Sequence, residues 1–266
     1  MNGKYVQANG INIHYEEYGD GVPLILLHGG TSTLAEWQAH IPSFAPHFHI
    51  YALDSRAHGK TDNPAGRLSY RMMADDVAAF IKALDIPRPL VCGYSDGGQI
   101  TLELALHHPG LTRALVVGAA WYKFSEAYVN GLKGWGFERP GEFDFDRIQA
   151  TSPQFVEMWK TQHFREDDPD YWKSLLLQIS ELWLTPLNYT EADFKQVTDP
   201  VLIVIGDRDG MIPLEDAIEM YQMIPNAELA VLPNADHLGV VMNPETFIHI
   251  VLEFLMRQSK VDRVEL

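Results

Sequence analysis

The run Gly93-Tyr94-Ser95-Asp96-Gly97-Gly98 constrains this chain more than any other stretch. A short apolar run, Leu90–Cys92, precedes it, and a helical pattern ending at His107 follows it. The backbone must therefore turn from strand to helix within a few residues, with a serine on the turn. Gly93 and Gly97 flank that serine at places where a Cβ would collide with the neighbouring strand or helix. A turn of this kind lifts a hydroxyl clear of a sheet. The helix that begins just after Ser95 aims free N–H groups at the same point.

The rest of the chain supplies a sheet for that turn. Tyr5–Ala8 and Ile11–Tyr18 form a hairpin pattern around Asn9-Gly10, a two-residue turn signal. Then come Leu24–Leu27, His49–Leu53, Leu90–Cys92, Ala114–Val117, Val201–Ile205 and Leu229–Leu232, short apolar runs of the kind buried on both faces. Helical patterns lie between them, at Tyr70–Leu84, Gly97–His107, Leu214–Met223 and Pro244–Met256. This alternation predicts an α/β fold with a mostly parallel eight-stranded sheet and helices on both faces. Residues 121–194 interrupt it. They hold five of the six tryptophans, no clear strand, and amphipathic stretches at Ser152–Trp159 and Pro169–Leu184. The expected organisation is a core of residues 1–120 and 195–266 with a helical insertion at 121–194. The aromatic side chains there either dock the insertion or line a pocket.

A serine hydroxyl is a poor nucleophile at neutral pH. It needs a base in reach, and the base needs a carboxylate to fix its tautomer. His237 stands on a late strand-end loop, Asn234–Gly239, and Asp209 lies in the loop Gly206–Pro213. Asp207 and Asp236 are the rival acids. Asp236 is adjacent to the histidine and poorly placed to face its imidazole, and Asp207 suits a turn cap or a pair with Arg208. His28 is a base by residue type only, and it sits on a glycine loop, His28-Gly29-Gly30-Thr31, suited to binding an oxyanion. The N–H groups of Gly30 and Asp96 are the expected donors, with Thr31 as the weaker choice. Cys92 falls inside a strand and reads as a small core residue.

With these motifs in place, the chain resembles the α/β-hydrolase superfamily over nearly its whole length. The segment Asp54–Thr61 is similar to that family's D-x-R-G-x-G-x-S, departing at Ala57 and Thr61, and a slightly altered turn is expected there. The resemblance implies Ser95 as nucleophile, His237 as base, Asp209 as the acid behind it, residues 121–194 as a cap, and no metal and no organic cofactor. It takes in dehalogenases and epoxide hydrolases, which carry an aspartate where Ser95 stands, and this argues against both. The expected activity is cleavage of a small carboxylic ester through an acyl-enzyme. Cofactor-free haloperoxidases or perhydrolases, carbon–carbon bond hydrolases and hydroxynitrile lyases share the triad, and a hydrolase-like ligand receptor is the alternative outside catalysis. Asp96 either steadies a helix N-terminus or selects a cationic amine, because the Ser-Asp-Gly-Gly elbow resembles that of valacyclovir-hydrolase-like proteins, which favour amino-acid esters. Candidate substrate contacts are Thr31, Tyr94, Asp96, Trp121 and Leu238.

Composition narrows the partners. A net charge of −16 is the wrong sign for nucleic acid phosphates or anionic membrane. No run reaches the roughly 18 apolar residues of a membrane span, and Met1–Val6 lacks a secretory pattern. One cysteine allows no intrachain disulfide. The expectation is a cytoplasmic protein acting on a small-molecule substrate, with homo-oligomerisation left open.

Overall fold

The computed structural model describes residues 3–242 and 244–260. Strands β1 (Lys4–Ala8) and β2 (Ile11–Tyr18) form the expected hairpin, and Asn9 and Gly10 take φ of +48° and +75° at its turn. Positive φ at both central residues is what a right-twisted two-residue hairpin requires. Next come β3 (Val22–Leu27), β4 (Phe48–Leu53), β5 (Leu90–Tyr94), β6 (Ala114–Gly118), the short pair β7 (Phe137–Arg139) and β8 (Glu142–Phe143), then β9 (Val201–Gly206) and β10 (Ala227–Leu232). Among the described residues the main sheet has eight strands in the order β1-β2-β4-β3-β5-β6-β9-β10. The β1–β2 and β2–β4 pairs are antiparallel and the others parallel. Each strand expected from the sequence is present, with ends that shift by no more than two residues.

The helices are α1 (Ile41–Phe44), α2 (Tyr70–Ala83), α3 (Asp96–His107), α4 (Glu126–Gly134), α5 (Phe145–Thr151), α6 (Pro153–Gln162), α7 (Tyr171–Trp183), α8 (Glu191–Phe194), α9 (Leu214–Met223), α10 (Gly239–Met242) and α11 (Pro244–Ser259). Side chains alternate across the sheet with the period of two that strands impose. Ile25, Leu27, Val91, Leu115, Val117, Ile203 and Ile205 pack on the face that α2 and α3 cover. Leu24, Leu26, Leu90, Cys92, Val116, Leu202 and Val204 pack on the opposite face, with Trp37 and with Phe247, Val251 and Phe254 of α11. Both faces are dry, which explains why the central strands read as unbroken apolar runs. Cys92 is fully buried in this core, as its strand position requires.

Residues 126–194 lie between β6 and β9 in the chain and are mostly helical. They also contain one feature the sequence conceals, the β7–β8 pair, which forms a sheet of its own. Its strands of three and two residues are too short to show an alternating pattern. The pair is held by the Phe137 and Phe143 rings, 4.8 Å apart and both buried.

The Asp54–Thr61 turn departs from expectation. Ala57 takes φ +69°, the left-handed conformation that glycine adopts freely, and it does so fully buried. The turn is kept and an alanine occupies it. Asp54 organises the segment, accepting from the Leu34 N–H at 2.9 Å, the Lys60 N–H at 2.9 Å and the His14 ring at 2.7 Å.

Candidate active site

Three loops at the carboxyl ends of β5, β9 and β10 meet over the sheet. Ser95 sits between β5 and α3 with φ +53° and ψ −116°, a strained conformation for a residue with a Cβ. Its N–H donates to the Gly118 carbonyl of the neighbouring strand at 2.8 Å, which helps hold the strain in place. The flanking glycines are sterically required. A Cβ on Gly93 would lie 2.0 Å from the Gly97 carbonyl oxygen, and one on Gly97 would lie 2.0 Å from the Leu27 carbonyl oxygen.

Ser95 Oγ lies 3.0 Å from His237 Nε2, and His237 Nδ1 lies 2.8 Å from Asp209 Oδ2. Asp209 cannot turn away, because its Oδ1 accepts the N–H groups of Met211 at 2.9 Å and Ile212 at 2.8 Å. The rival acids are engaged elsewhere. Asp207 accepts the Ala235 N–H at 3.3 Å, and Asp236 accepts the Gly239 N–H at 2.7 Å, at the start of α10. His28 faces away from the serine. Its Nδ1 donates to the Gly29 carbonyl at 2.7 Å and its Nε2 accepts the Ser55 N–H at 3.0 Å, which fixes it as a neutral ring in the loop.

The glycine loop stands beside the elbow. A Cβ on Gly29 would meet the Ser95 Cβ at 3.4 Å. The Gly29 N–H is already used, donating to Glu36 Oε2 at 2.7 Å. The next N–H, of Gly30, has no protein acceptor among the described residues. Nor has the N–H of Asp96, the first residue of α3. Burial pushes the half-buried Glu36 carboxyl up to about 7, against the stabilising hydrogen bonds from Gly29 and Ser32. His163 reaches in from α6's C-terminal end, with Nε2 donating to the Thr31 carbonyl at 3.0 Å and Nδ1 accepting the Gly59 N–H at 3.0 Å. Thr31 itself has φ +60°.

The candidate substrate contacts fare unequally. Tyr94 is 2% exposed and its hydroxyl donates to the His237 carbonyl at 2.5 Å, which steadies the histidine loop. Trp121 is buried as well. It is 3% exposed, stacked on Tyr128 at 5.0 Å and edge-on to Tyr70 at 5.5 Å. Leu238 is exposed, and Thr31 partly so. Asp96 is buried, and burial pushes its carboxyl up to about 6 although two donors oppose the shift. Those donors are the Tyr70 hydroxyl, 2.8 Å from Oδ1, and the Trp183 indole N–H, 2.8 Å from Oδ1 and 3.0 Å from Oδ2.

Glu36, Tyr70, His163 and Trp183 escape sequence reasoning because no spacing ties them to the elbow. Each arrives from another element, and only the fold brings it near.

This chain belongs to the alpha/beta hydrolase fold family, whose model it matches over residues 22–244, and it is a hydrolase. Relatives of the whole length sharpen the comparison. The chain is 27% identical over 271 residues to a 2-hydroxy-6-oxo-2,4-heptadienoate hydrolase of Pseudomonas putida, covering 97% of each chain. It is 26% identical over 263 residues to 3-oxoadipate enol-lactonase 2 of Acinetobacter baylyi, covering 94% of this chain and 95% of that one. It is 24% identical over 262 residues to a pimeloyl-acyl-carrier-protein methyl ester esterase of Nitrosospira multiformis, covering 92% of this chain and 98% of that one. Among solved structures, a meta-cleavage product hydrolase superposes with TM-score 0.79 at 24% identity, over 96% of this chain and 98% of the other, a likeness of fold.

Proposed function

We propose that this protein is a serine hydrolase that cleaves a small carboxylic ester, or a related acyl bond, through an acyl-enzyme on Ser95. The observation that carries this reading is the continuous relay of Ser95 Oγ, His237 and Asp209, with contacts of 3.0 and 2.8 Å. His237 Nε2 takes the hydroxyl proton as Oγ attacks the carbonyl carbon. Asp209 holds the Nδ1–H tautomer and stabilises the imidazolium. The oxyanion is met by the N–H groups of Gly30 and Asp96, and loss of one such donor typically costs about 3–4 kcal/mol. The imidazolium then gives its proton to the leaving oxygen. Water, deprotonated by the same nitrogen, attacks the ester on Ser95, and the acid leaves with the hydroxyl restored. Only side chains, backbone N–H groups and water take part. In this reading residues 121–194 act as a cap over the site, with His163 as one of its ties to the oxyanion loop.

A second reading is favoured by the relatives named as 2-hydroxy-6-oxo-dienoate hydrolases, which match almost the full length of the chain. The same relay would then attack a ketone and expel a carbon leaving group. One experiment addresses both. Short aryl esters and a 2-hydroxy-6-oxo-dienoate are offered to the wild type and to Ser95→Ala, following phenol release and loss of the conjugated absorption. We expect ester turnover by the wild type and a roughly thousandfold or greater loss in the variant, with a fluorophosphonate adding mass only at Ser95. Full activity in Ser95→Ala refutes the nucleophile. Preferential turnover of the dienoate moves the chain to the second reading.

A further inference from the structure

The Trp183 indole occupies a particular place in this site. It ends α7, in the segment between β6 and β9, yet its N–H is bonded to both carboxylate oxygens of Asp96, the residue after the proposed nucleophile. Its ring also presses on the oxyanion loop. A Cβ built on Gly30 would lie 2.4 Å from Trp183 Cζ2 and 2.6 Å from Asp96 Oδ2. The Gly30 backbone and the Asp96 carboxylate, which belong to the two residues proposed to bind the oxyanion through their N–H groups, therefore both abut the indole. The ring has little room to retreat. Phe137 of β7 packs behind it at 4.6 Å, and Phe137 is itself backed by Phe143 at 4.8 Å.

The sheet order tells which part of a substrate meets this wall. Gly30 follows β3, on one side of β5, whereas His237 follows β10, two strands beyond β6 on the other side. The leaving group must depart towards His237, which protonates it. The acyl substituent that stays on Ser95 is directed away from His237, and on the β3 side of the site Trp183 is the ring that stands against Gly30 and Asp96.

We propose that Trp183 is the specificity-determining residue of the site, limiting the acyl group to short, unbranched chains. This rests on the acyl-enzyme reading above. Asp96 acts as the latch that fixes the indole, Tyr70 steadies Asp96 by donating to the same Oδ1, and Gly30 is the residue whose missing Cβ leaves the ring its seat. An acyl chain of more than a few carbons then collides with the ring edge. Removal of the indole opens the space back towards Phe137.

The test is an acyl series, 4-nitrophenyl acetate, butyrate, hexanoate and 2-methylpropanoate, run on the full chain as wild type, Trp183→Phe and Trp183→Ala. Active sites are titrated with a fluorophosphonate in each protein. The readout is the ratio of kcat/KM for hexanoate to that for acetate. In Trp183→Ala this ratio should rise roughly tenfold or more, the scale at which apolar pockets discriminate methylenes, with the change mainly in KM. In Trp183→Phe the rise should be intermediate, which keeps the proposal testable if the alanine variant does not fold. A ratio within twofold of the wild type in folded, titratable variants overturns it, as does a wild type that treats acetate and hexanoate alike. If the wild type fails to label at Ser95, or Ser95→Ala keeps full activity, the acyl-enzyme reading falls instead, and the two failures are distinguished.

Discussion

At the scale of single residues, the site depends on orientation more than on residue type. The chain has eleven histidines, and among those near the elbow only His237 has one nitrogen on a serine and the other on a carboxylate. Asp209 shows how that orientation is enforced. Its Oδ1 is committed to the N–H groups of Met211 and Ile212, so only Oδ2 faces the imidazole. In Asp209→Asn the amide oxygen keeps those two donors, and the amide nitrogen must face His237 Nδ1. The ring proton is then driven to Nε2, where it blocks acceptance of the serine proton. We expect kcat on a short ester to fall by about 10⁴ with little change in the thermal melt, and steady-state kinetics beside calorimetry checks both. Asp96 has a separate thermodynamic signature. Burial raises its carboxyl from 3.8 to about 6 in the folded chain. Between those values the folded protein holds a proton that the unfolded chain has released, so this group lowers stability as pH rises from about 4 to about 6. Asp96→Asn cannot ionise. In urea unfolding it should gain on the wild type between pH 4 and pH 7, and a constant difference across that range would contradict the assignment.

At the scale of elements, the strand β5, the turn and helix α3 act as one unit whose closeness is set by missing side chains. Gly97→Ala places a methyl 2.0 Å from a strand carbonyl, and neither backbone can move without separating α3 from β3. A loss of about 3 kcal/mol or more is expected. Gly134→Ala, in α4 where nothing lies within 4 Å, should stay within about 1 kcal/mol and on the stabilising side. Chemical denaturation of the two variants compares them directly. The strands were legible because burial on both faces writes an unbroken apolar run, and α9 was legible to the residue. The β7–β8 pair was not, because five residues carry no period and the pair is held by its own Phe137 and Phe143 rings packed on Trp183 and Trp159 of the neighbouring helices.

At the scale of the whole molecule, the described buried histidines couple stability to pH. His40 lies between Trp37 and Phe247, with ring centroids 5.2 and 5.5 Å away, and burial pushes it down to about 4. Below 6.5 the unfolded chain takes up a proton there that the folded chain refuses. Stability is therefore lost as pH falls from about 6.5 to about 4. His163, also pushed down to about 4 by burial, adds to the same slope. His40→Phe removes one of these groups and keeps the ring contacts. Its stability should fall less than that of the wild type between pH 7 and pH 4.5, as measured by urea unfolding at stepped pH. An equal fall would show that His40 does not titrate in this window.

The sequence by itself determined the sheet and the strand-turn-helix elbow, and it pointed to Ser95, His237 and Asp209 as the proposed relay. These follow from local rules: apolar runs, glycine sterics, and the need of a serine for a base and an acid. The tertiary structure alone showed that Tyr94 and Trp121 are buried, that Glu36 and His163 bond to the glycine loop, and that Trp183 stands against Gly30 and Asp96. Most of those contacts join residues tens of positions apart on different elements, as His163 to Thr31 and Trp183 to Asp96 do. No periodicity or motif encodes such a meeting, because it exists only once helices and strands have been docked.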